Sequence, residues 1–166
     1  TAAVFDDKAY AQDAGRFALE LALARRKIKG VALNGLVRGT YRIKYLVSDE
    51  PLISIVIPFK DKFKLLSNCL NSILNNTEYD NWEIICMDNG STEPEIGLLS
   101  QYFASRDSRI RFYDFEEEFN YSRINNVAVR EYCLGKYIVF LNNDIEIATS
   151  DWLDCLLEHA QRDSTG

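Results

Sequence analysis

From Leu52 onward the chain alternates short, continuously apolar segments with amphipathic segments of about ten to fifteen residues, and few architectures accept that alternation. The apolar runs at 52–58, 82–88, 110–115 and 136–141 read as strands. Between them, helices are expected over 61–75, from Thr92-Glu93-Pro94-Glu95 onward, and across 121–132, with a last one from Ser150. The first presents Phe63, Leu66, Leu70, Ile73 and Leu74 on one face, the second Ile96, Leu99 and Phe103, and the last Trp152, Leu153, Leu156, Leu157 and Ala160. Strands that are apolar throughout must be covered on both faces, which predicts an α/β fold with a mostly parallel sheet between helix layers. Asp61 is placed to N-cap the first of these helices, and Thr92-Glu93-Pro94-Glu95 has capping-box spacing with proline in the first turn.

In such sheets ligands bind beyond the carboxyl ends of the strands. Three strand ends here are polar: Pro58-Phe59-Lys60-Asp61, Asp88-Asn89-Gly90-Ser91 and Leu141-Asn142-Asn143-Asp144. Asn142, Asn143 and Asp144 can offer two amide oxygens and a carboxylate. Mg²⁺ or Mn²⁺ takes oxygen ligands and needs only one or two protein carboxylates when substrate phosphates supply the rest. The same residues also suit an ordinary turn. Asp88 can accept the imide N–H of uracil or thymine, with Gly90 allowing close approach, or can form an Asx-turn before the next helix. Pro58, Phe59 and Lys60 can line a base and ribose pocket, and Lys60 can equally be a solvated charge. The run Phe119-Asn120-Tyr121-Ser122-Arg123-Ile124-Asn125-Asn126 opens a helix with many donors. Arg123 can pair with a phosphate there, and Asn120 or Ser122 can cap the helix.

The N-terminal region differs. Residues 7–28 form a helix on pattern, with Tyr10, Ala14, Phe17, Ala18, Leu21 and Ile28 on its apolar face, closed by Gly30. A connection punctuated by Gly35 and Gly39 leads to a short strand at 41–47, and Pro51 marks a boundary. Residues 1–50 are therefore read as an extension and 51–166 as the main domain.

The 47% hydrophobic content is ample for a core. No apolar stretch approaches the ~20 residues of a membrane span, and no signal peptide is evident. The first residue, Thr1, implies excision from a longer protein. Cys69, Cys86, Cys133 and Cys155 are scattered inside apolar patterns with no CxxC pair and read as core residues of a reducing, cytoplasmic compartment; with His159 the single histidine, a zinc site is disfavoured. The net charge of −6 divides unevenly, with 12 Lys+Arg against 7 Asp+Glu in residues 1–64 and 7 against 18 thereafter. Nucleic-acid binding is disfavoured. Arg25-Arg26-Lys27-Ile28-Lys29 suits a solvated helix end, with contact at the inner membrane face as the second reading.

The four segments after Pro51 resemble, in order and spacing, those of the family 2 glycosyltransferases with the A-type (GT-A, Rossmann-like) fold. The matching residues are Ile53-Ser54-Ile55-Val56-Ile57-Pro58, Trp82-Glu83-Ile84-Ile85-Cys86-Met87-Asp88-Asn89-Gly90-Ser91, Asn120-Tyr121-Ser122-Arg123-Ile124-Asn125-Asn126, and Gly135-Lys136-Tyr137-Ile138-Val139-Phe140-Leu141-Asn142-Asn143-Asp144. Asn34-Gly35-Leu36 through Tyr41-Arg42 is similar to the lead-in of bacterial members that build cell-surface polysaccharides. The resemblance implies that Pro58 with its loop (Phe59, Lys60) and Asp88 with Asn89 and Gly90 hold the base. It places Arg123, Asn126, Asn142 and Asn143 at the nucleotide and ribose, and Asp144 as the metal residue of a DXD-like motif, whose first position is Asn142 instead of Asp.

It implies transfer, with inversion and assisted by Mg²⁺ or Mn²⁺, of a sugar from a nucleoside diphosphate sugar of UDP or dTDP type to a glycan or lipid-linked acceptor. The general base is expected beyond Gly166, so the piece itself would be inactive and prone to self-association through uncovered apolar surface. The alternative is a non-catalytic nucleotide-binding or interaction domain of the same fold. A dinucleotide oxidoreductase is disfavoured because no G-x-G-x-x-G follows the first strand, and a phosphoacceptor receiver because that strand ends in Pro-Phe-Lys.

Overall fold

The computed structural model describes residues 2–47 and 49–162, with side chains from Tyr10 onward. In chain order the elements are α1 (Ala2–Arg26), β1 (Gly30–Asn34), β2 (Tyr41–Tyr45), β3 (Ile53–Phe59), α2 (Phe63–Asn75), β4 (Trp82–Asp88), α3 (Pro94–Arg106), β5 (Ile110–Asp114), α4 (Tyr121–Glu131), β6 (Tyr137–Phe140) and α5 (Trp152–Ala160). They fall into two compact units: Thr1–Ser48 with Leu157–Gly166, and Asp49–Leu156. Residues 163–166, the end of the expected main domain, lie outside the described residues. Among the described residues no helix is long and apolar enough to cross a membrane.

In the larger unit the four apolar runs form one parallel sheet in the order β5-β4-β3-β6. The central strands β3 and β4 are almost wholly buried, as continuous apolarity requires. Their alternation separates two sets of side chains. Val56, Ile85 and Met87 pack with Ile124 and Ala128 of α4 and with Phe115. Ile55, Ile57, Ile84 and Cys86 point the other way, where α2 and α3 contact one another and contribute Leu66, Cys69, Leu70, Ile96, Leu99 and Phe103 to the core. Burial pushes the Cys86 thiol well above its ordinary range and the Cys69 thiol up to about 12, so both are inert apolar packing groups. Among the described residues no cysteine is joined in a disulfide.

At the amino ends of the strands the sheet is closed by a buried polar cluster. Glu83, 6% exposed, accepts from Ser54 Oγ (2.6 Å) and the Leu134 N–H (2.6 Å) and pairs with Arg111. Ser54 Oγ in turn accepts the Gly135 N–H at 2.8 Å, bringing the turn between α4 and β6 flat against β3. Gly135 is required by that approach: a Cβ there would meet the Ser54 backbone nitrogen at 2.6 Å and the Leu52 carbonyl at 2.8 Å.

The smaller unit departs from expectation in three ways. Residues 30–34 form a strand, β1, which pairs antiparallel with β2 to make a hairpin of its own sheet. Helix α1 ends on Lys27 in the left-handed conformation (φ 55°), with the Ile28 N–H bonded to the Leu23 carbonyl at 3.0 Å; Gly30 instead opens β1. The face read as apolar is also the wrong one. Tyr10, Phe17 and Leu21 are exposed, and the more covered positions are Gln12, Gly15, Arg16, Leu19, Glu20, Ala22 and Leu23. The reason is polar: Glu20 accepts the Ala32 N–H at 2.7 Å, Tyr41 donates to the Gln12 carbonyl at 3.0 Å, and Gln12 Oε1 accepts the Gly39 N–H at 2.6 Å. These bonds orient the helix against the hairpin. Arg25 and Arg26 close α1 as an exposed basic end.

Gly135→Ala should destabilise the larger unit by about 1–3 kcal/mol, the usual range for overpacking, because the new methyl meets backbone rather than a movable side chain. Chemical denaturation should show a lower midpoint with an unchanged slope.

Candidate functional site

The carboxyl ends of β3, β4 and β5 are level, because β3 pairs with β4 through Phe59 opposite Asp88, and β4 with β5 through Asp88 opposite Asp114; β6 stops three residues earlier, with Phe140 opposite Val56. The loops that leave them surround an open cavity of about 870 Å³. Pro58, Phe59, Lys60 and Lys62 line it from β3, Asn89 and Gly90 from β4, residues 115–119 from beyond β5, Tyr121 from α4, and Asn142 and Asn143 from beyond β6. Seven of the sequence-predicted site residues thus come together there: Pro58, Phe59, Lys60, Asn89, Gly90, Asn142 and Asn143. Asp88, Arg123, Asn126 and Asp144 are not among the lining residues.

The loop after β3 turns through two successive left-handed residues, Asp61 (φ 54°) and Lys62 (φ 63°). Such conformations are costly for side chains other than Gly, Asn and Asp, and persist where neighbours over-determine them. The neighbour here is the loop after β4. Ser91 Oγ accepts the Asp61 N–H at 2.7 Å, and Asp61 Oδ1 accepts the N–H groups of Thr92 and Glu93 at 2.5 and 2.9 Å. Glu93 Oε2 accepts the Phe63 N–H at 3.0 Å. Asp61 therefore caps α3, and Glu93 caps α2. This corrects both cap assignments made from sequence: α2 begins at Phe63 rather than Asp61, its N-cap Lys62 has no side-chain cap of its own, and Thr92 forms no capping box. The N–H groups of Glu93 and Thr92 hold the Asp61 carboxyl below its ordinary range.

Asp88 is tied to the loop that follows it, its Oδ1 accepting the N–H of Ser91, three residues on, at 2.8 Å, rather than the N–H two residues on as an Asx-turn would. Asn89 is a tie between three loops. Its backbone N–H donates to the Phe59 carbonyl at 2.9 Å, and its side-chain nitrogen donates to the carbonyls of Phe115 (3.1 Å) and Glu117 (2.9 Å). At 6% exposure, and with its amide nitrogen facing two carbonyls, Asn89 shapes the cavity wall by fixing residues 115–117. That wall is acidic: Glu116, Glu117 and Glu118 all line the cavity, with Phe119 and the half-exposed Tyr121 beside them. Three consecutive glutamates are by themselves what a solvated loop would also show. Their part in the site was not signalled locally, since it depends on where β5 ends relative to β3 and β4.

On α4, Asn120 is the N-cap and accepts the Arg123 N–H at 3.0 Å. The Arg123 guanidinium grips Glu117 through Nε and Nη2, both at 2.9 Å. Asn126 is exposed, whereas the neighbouring Asn125 is buried, donating to the Tyr121 carbonyl at 2.8 Å. Asp144 is exposed and close enough to the Cys69 thiol to help raise it. Among the described residues no group of three or more His, Cys, Asp or Glu side chains could hold a metal ion. The donors at the end of β6, two amides and one carboxylate, fit a hard cation only when a ligand's own oxygens complete the shell.

Residues 54–166 match the sequence profile of Glycosyl transferase family 2. The chain belongs to that family. It is 37% identical over 160 residues to the uncharacterised protein y4gI of Sinorhizobium fredii, covering 96% of this chain and 18% of that protein. It is 39% identical over 127 residues to the O-antigen biosynthesis protein RfbC of Myxococcus xanthus, covering 76% of this chain and 10% of that one. The chain thus spans less than a fifth of the length of these relatives. In structure it superposes on the mannosyltransferase PcManGT of Pyrobaculum calidifontis, solved with GDP-Man and Mn²⁺, with a TM-score of 0.64 at 16% identity over 72% of this chain and 35% of that one. Staphylococcus aureus TarS, solved with UDP-GlcNAc, gives a TM-score of 0.53 at 20% identity over 63% of this chain and 29% of the other. At those identities the likeness establishes the GT-A fold.

Two measurements test the geometry of this family 2 domain. Asn89→Ala leaves two carbonyls without their donor and should cost about 1–3 kcal/mol. It should also speed amide exchange at residues 115–118 beyond what global destabilisation explains, even without ligand; exchange confined to the mutated loop would show instead that Asn89 holds nothing at a distance. Asp61→Asn tests the cross-cap. A carboxyl whose folded pKa is depressed stabilises the fold above its unfolded pKa, and that contribution disappears as pH falls through the folded value. The variant keeps an acceptor oxygen and does not titrate, so its urea midpoint should fall less steeply than the wild type's on acidification through that window.

Proposed function

We propose that the cavity binds a nucleoside diphosphate sugar, of UDP or dTDP type, and that the whole protein transfers its sugar to a glycan or lipid-linked acceptor in bacterial cell-surface polysaccharide synthesis. One observation carries this reading: the loops after all four parallel strands, with seven of the expected residues, converge on one cavity large enough for such a ligand. Membership of the glycosyl transferase family 2 and the likeness to an O-antigen biosynthesis protein supply the reaction class.

The residues divide the work by chemistry. Pro58, Phe59 and Gly90 give the cavity apolar lining against which a base can pack, and Phe119 and Tyr121 add aromatic rings to it. Asp88 has a second carboxylate oxygen for an imide N–H while the first keeps its bond to the Ser91 N–H. Lys60, Lys62 and Arg123 supply positive charge for the diphosphate, and Asn142, Asn143 and Asn126 hydrogen-bond capacity for ribose and phosphate. Asp144, just past the two amides on the rim, is the carboxylate that would hold Mg²⁺ or Mn²⁺ together with the diphosphate. Such a cation stabilises negative charge on a departing diphosphate. The reaction is inverting in this reading, the acceptor hydroxyl attacking the anomeric carbon directly.

Calorimetry of UDP with and without Mn²⁺ tests the assignment. Wild-type protein should bind UDP more tightly with Mn²⁺ and bind ADP more weakly than UDP. Asp144→Ala should remove the Mn²⁺-dependent gain, with its melting temperature unchanged because the side chain is exposed. Equal Mn²⁺ dependence in both proteins would refute Asp144 as the metal residue, and equal affinity for ADP and UDP would refute the base assignment.

A further inference from the structure

The Glu117–Arg123 pair is the feature that the donor-site reading leaves unexplained. Arg123 lies in the first turn of α4, where the helix end favours an anion, and the edge of its guanidinium formed by Nε and Nη2 is the edge that receives a planar or tetrahedral oxyanion in two parallel bonds. In this structure a residue of the cavity wall already fills that edge: Glu117, with both carboxylate oxygens at 2.9 Å. The two side chains are about half exposed, at 53% for Glu117 and 51% for Arg123. Mutual pairing holds the Glu117 carboxyl below its ordinary range and raises the Arg123 guanidinium. The Glu117 backbone, by contrast, is anchored, since its carbonyl accepts from the buried Asn89. The carboxylate can therefore swing off Arg123 by side-chain rotation alone, with the wall kept in place.

We propose that Glu117 is a specificity-determining residue: an internal counter-ion that occupies the binding edge of Arg123 until a phosphate group of the ligand replaces it. The inference rests on the reading of the cavity as a nucleoside diphosphate site and adds to it a rule of admission. A ligand that carries phosphate exchanges one anion for another at Arg123 and keeps that cation paired. A nucleoside without phosphate has nothing to offer in exchange, so it gains no contact with Arg123. Exposed ion pairs are weak, so the competition lowers the affinity of a phosphorylated ligand by only about two- to fivefold. That is small enough for the ligand to win and large enough to measure.

The experiment is calorimetric titration of wild type, Glu117→Gln, Arg123→Gln and the double variant with UDP and with uridine, at one fixed Mn²⁺ concentration and ionic strength. Removing the internal competitor should tighten UDP about two- to fivefold and leave uridine unchanged. Arg123→Gln should weaken UDP, and in that background Glu117→Gln should give no gain. A purely structural role for the pair would lower the affinity for both ligands in parallel. Unchanged or weaker UDP binding in Glu117→Gln overturns the proposal, as does a gain of equal size in the Arg123→Gln background, which would mean that Glu117 acts only through its field. If wild type and Glu117→Gln both fail to bind UDP, the donor-site reading falls and takes the proposal with it. Binding by both without a gain removes the proposal alone.

Discussion

The parallel register of β3 against β4 governs everything that follows in the larger unit. Pairing runs from Ile53 opposite Trp82 to Phe59 opposite Asp88, and this alignment makes the two strands stop together. Burial on both faces fixes it, because a slip by one residue would exchange the side chains that meet α4 for those that meet α2 and α3. With the strands stopped level, the loops that follow must share one edge. That sharing lets Asn89 reach the Phe59 carbonyl on one side and residues 115 and 117 on the other.

The two ends of the sheet use polar groups differently. At the amino ends, Glu83, Ser54, Arg111 and the Leu134 and Gly135 N–H groups form a closed set in which the buried Glu83 carboxylate is paired and hydrogen-bonded, which suits a structural joint. At the carboxyl ends, Lys60, Lys62, Glu116, Glu117 and Glu118 face an open cavity whose shape is held from behind by backbone-directed bonds from Asp61, Glu93, Ser91 and Asn89. Separating the groups that shape the cavity from those that face it leaves the latter able to change partners. The Glu117–Arg123 pair is the clearest instance, an exposed pair on an anchored backbone.

Much of the candidate site was legible because its residues sit immediately after apolar runs whose length and composition mark them as buried strands. Pro58, Phe59, Lys60, Asn89, Gly90, Asn142 and Asn143 were all found this way, and all line the cavity. What escaped was whatever depended on a partner far along the chain. Lys62 and Glu116, Glu117 and Glu118 have nothing in their local sequence that marks a site, and their place in the cavity wall follows only from where the strands end. The caps escaped for the same reason. Asp61 and Glu93 each cap the other's helix, across 32 and 30 positions of sequence respectively, whereas a local window assigns a cap to its own helix.

The sequence alone determined the α/β class, the positions of the four parallel strands, the helices between them and the family to which they belong, because continuous apolarity and helical period are properties of local composition. It did not determine the packed face of α1, where hydrogen bonds from Gln12, Glu20 and Tyr41 oriented the helix against its apolar stripe. Nor did it decide which polar groups at the strand ends are free for a ligand. Asp88, Asn89 and Arg123 each looked available as a ligand group, yet the fold ties them to Ser91, to two carbonyls and to Glu117 respectively. Donor and acceptor capacity is written in residue type. Its allocation is set by distance in three dimensions, and only the tertiary structure supplies that.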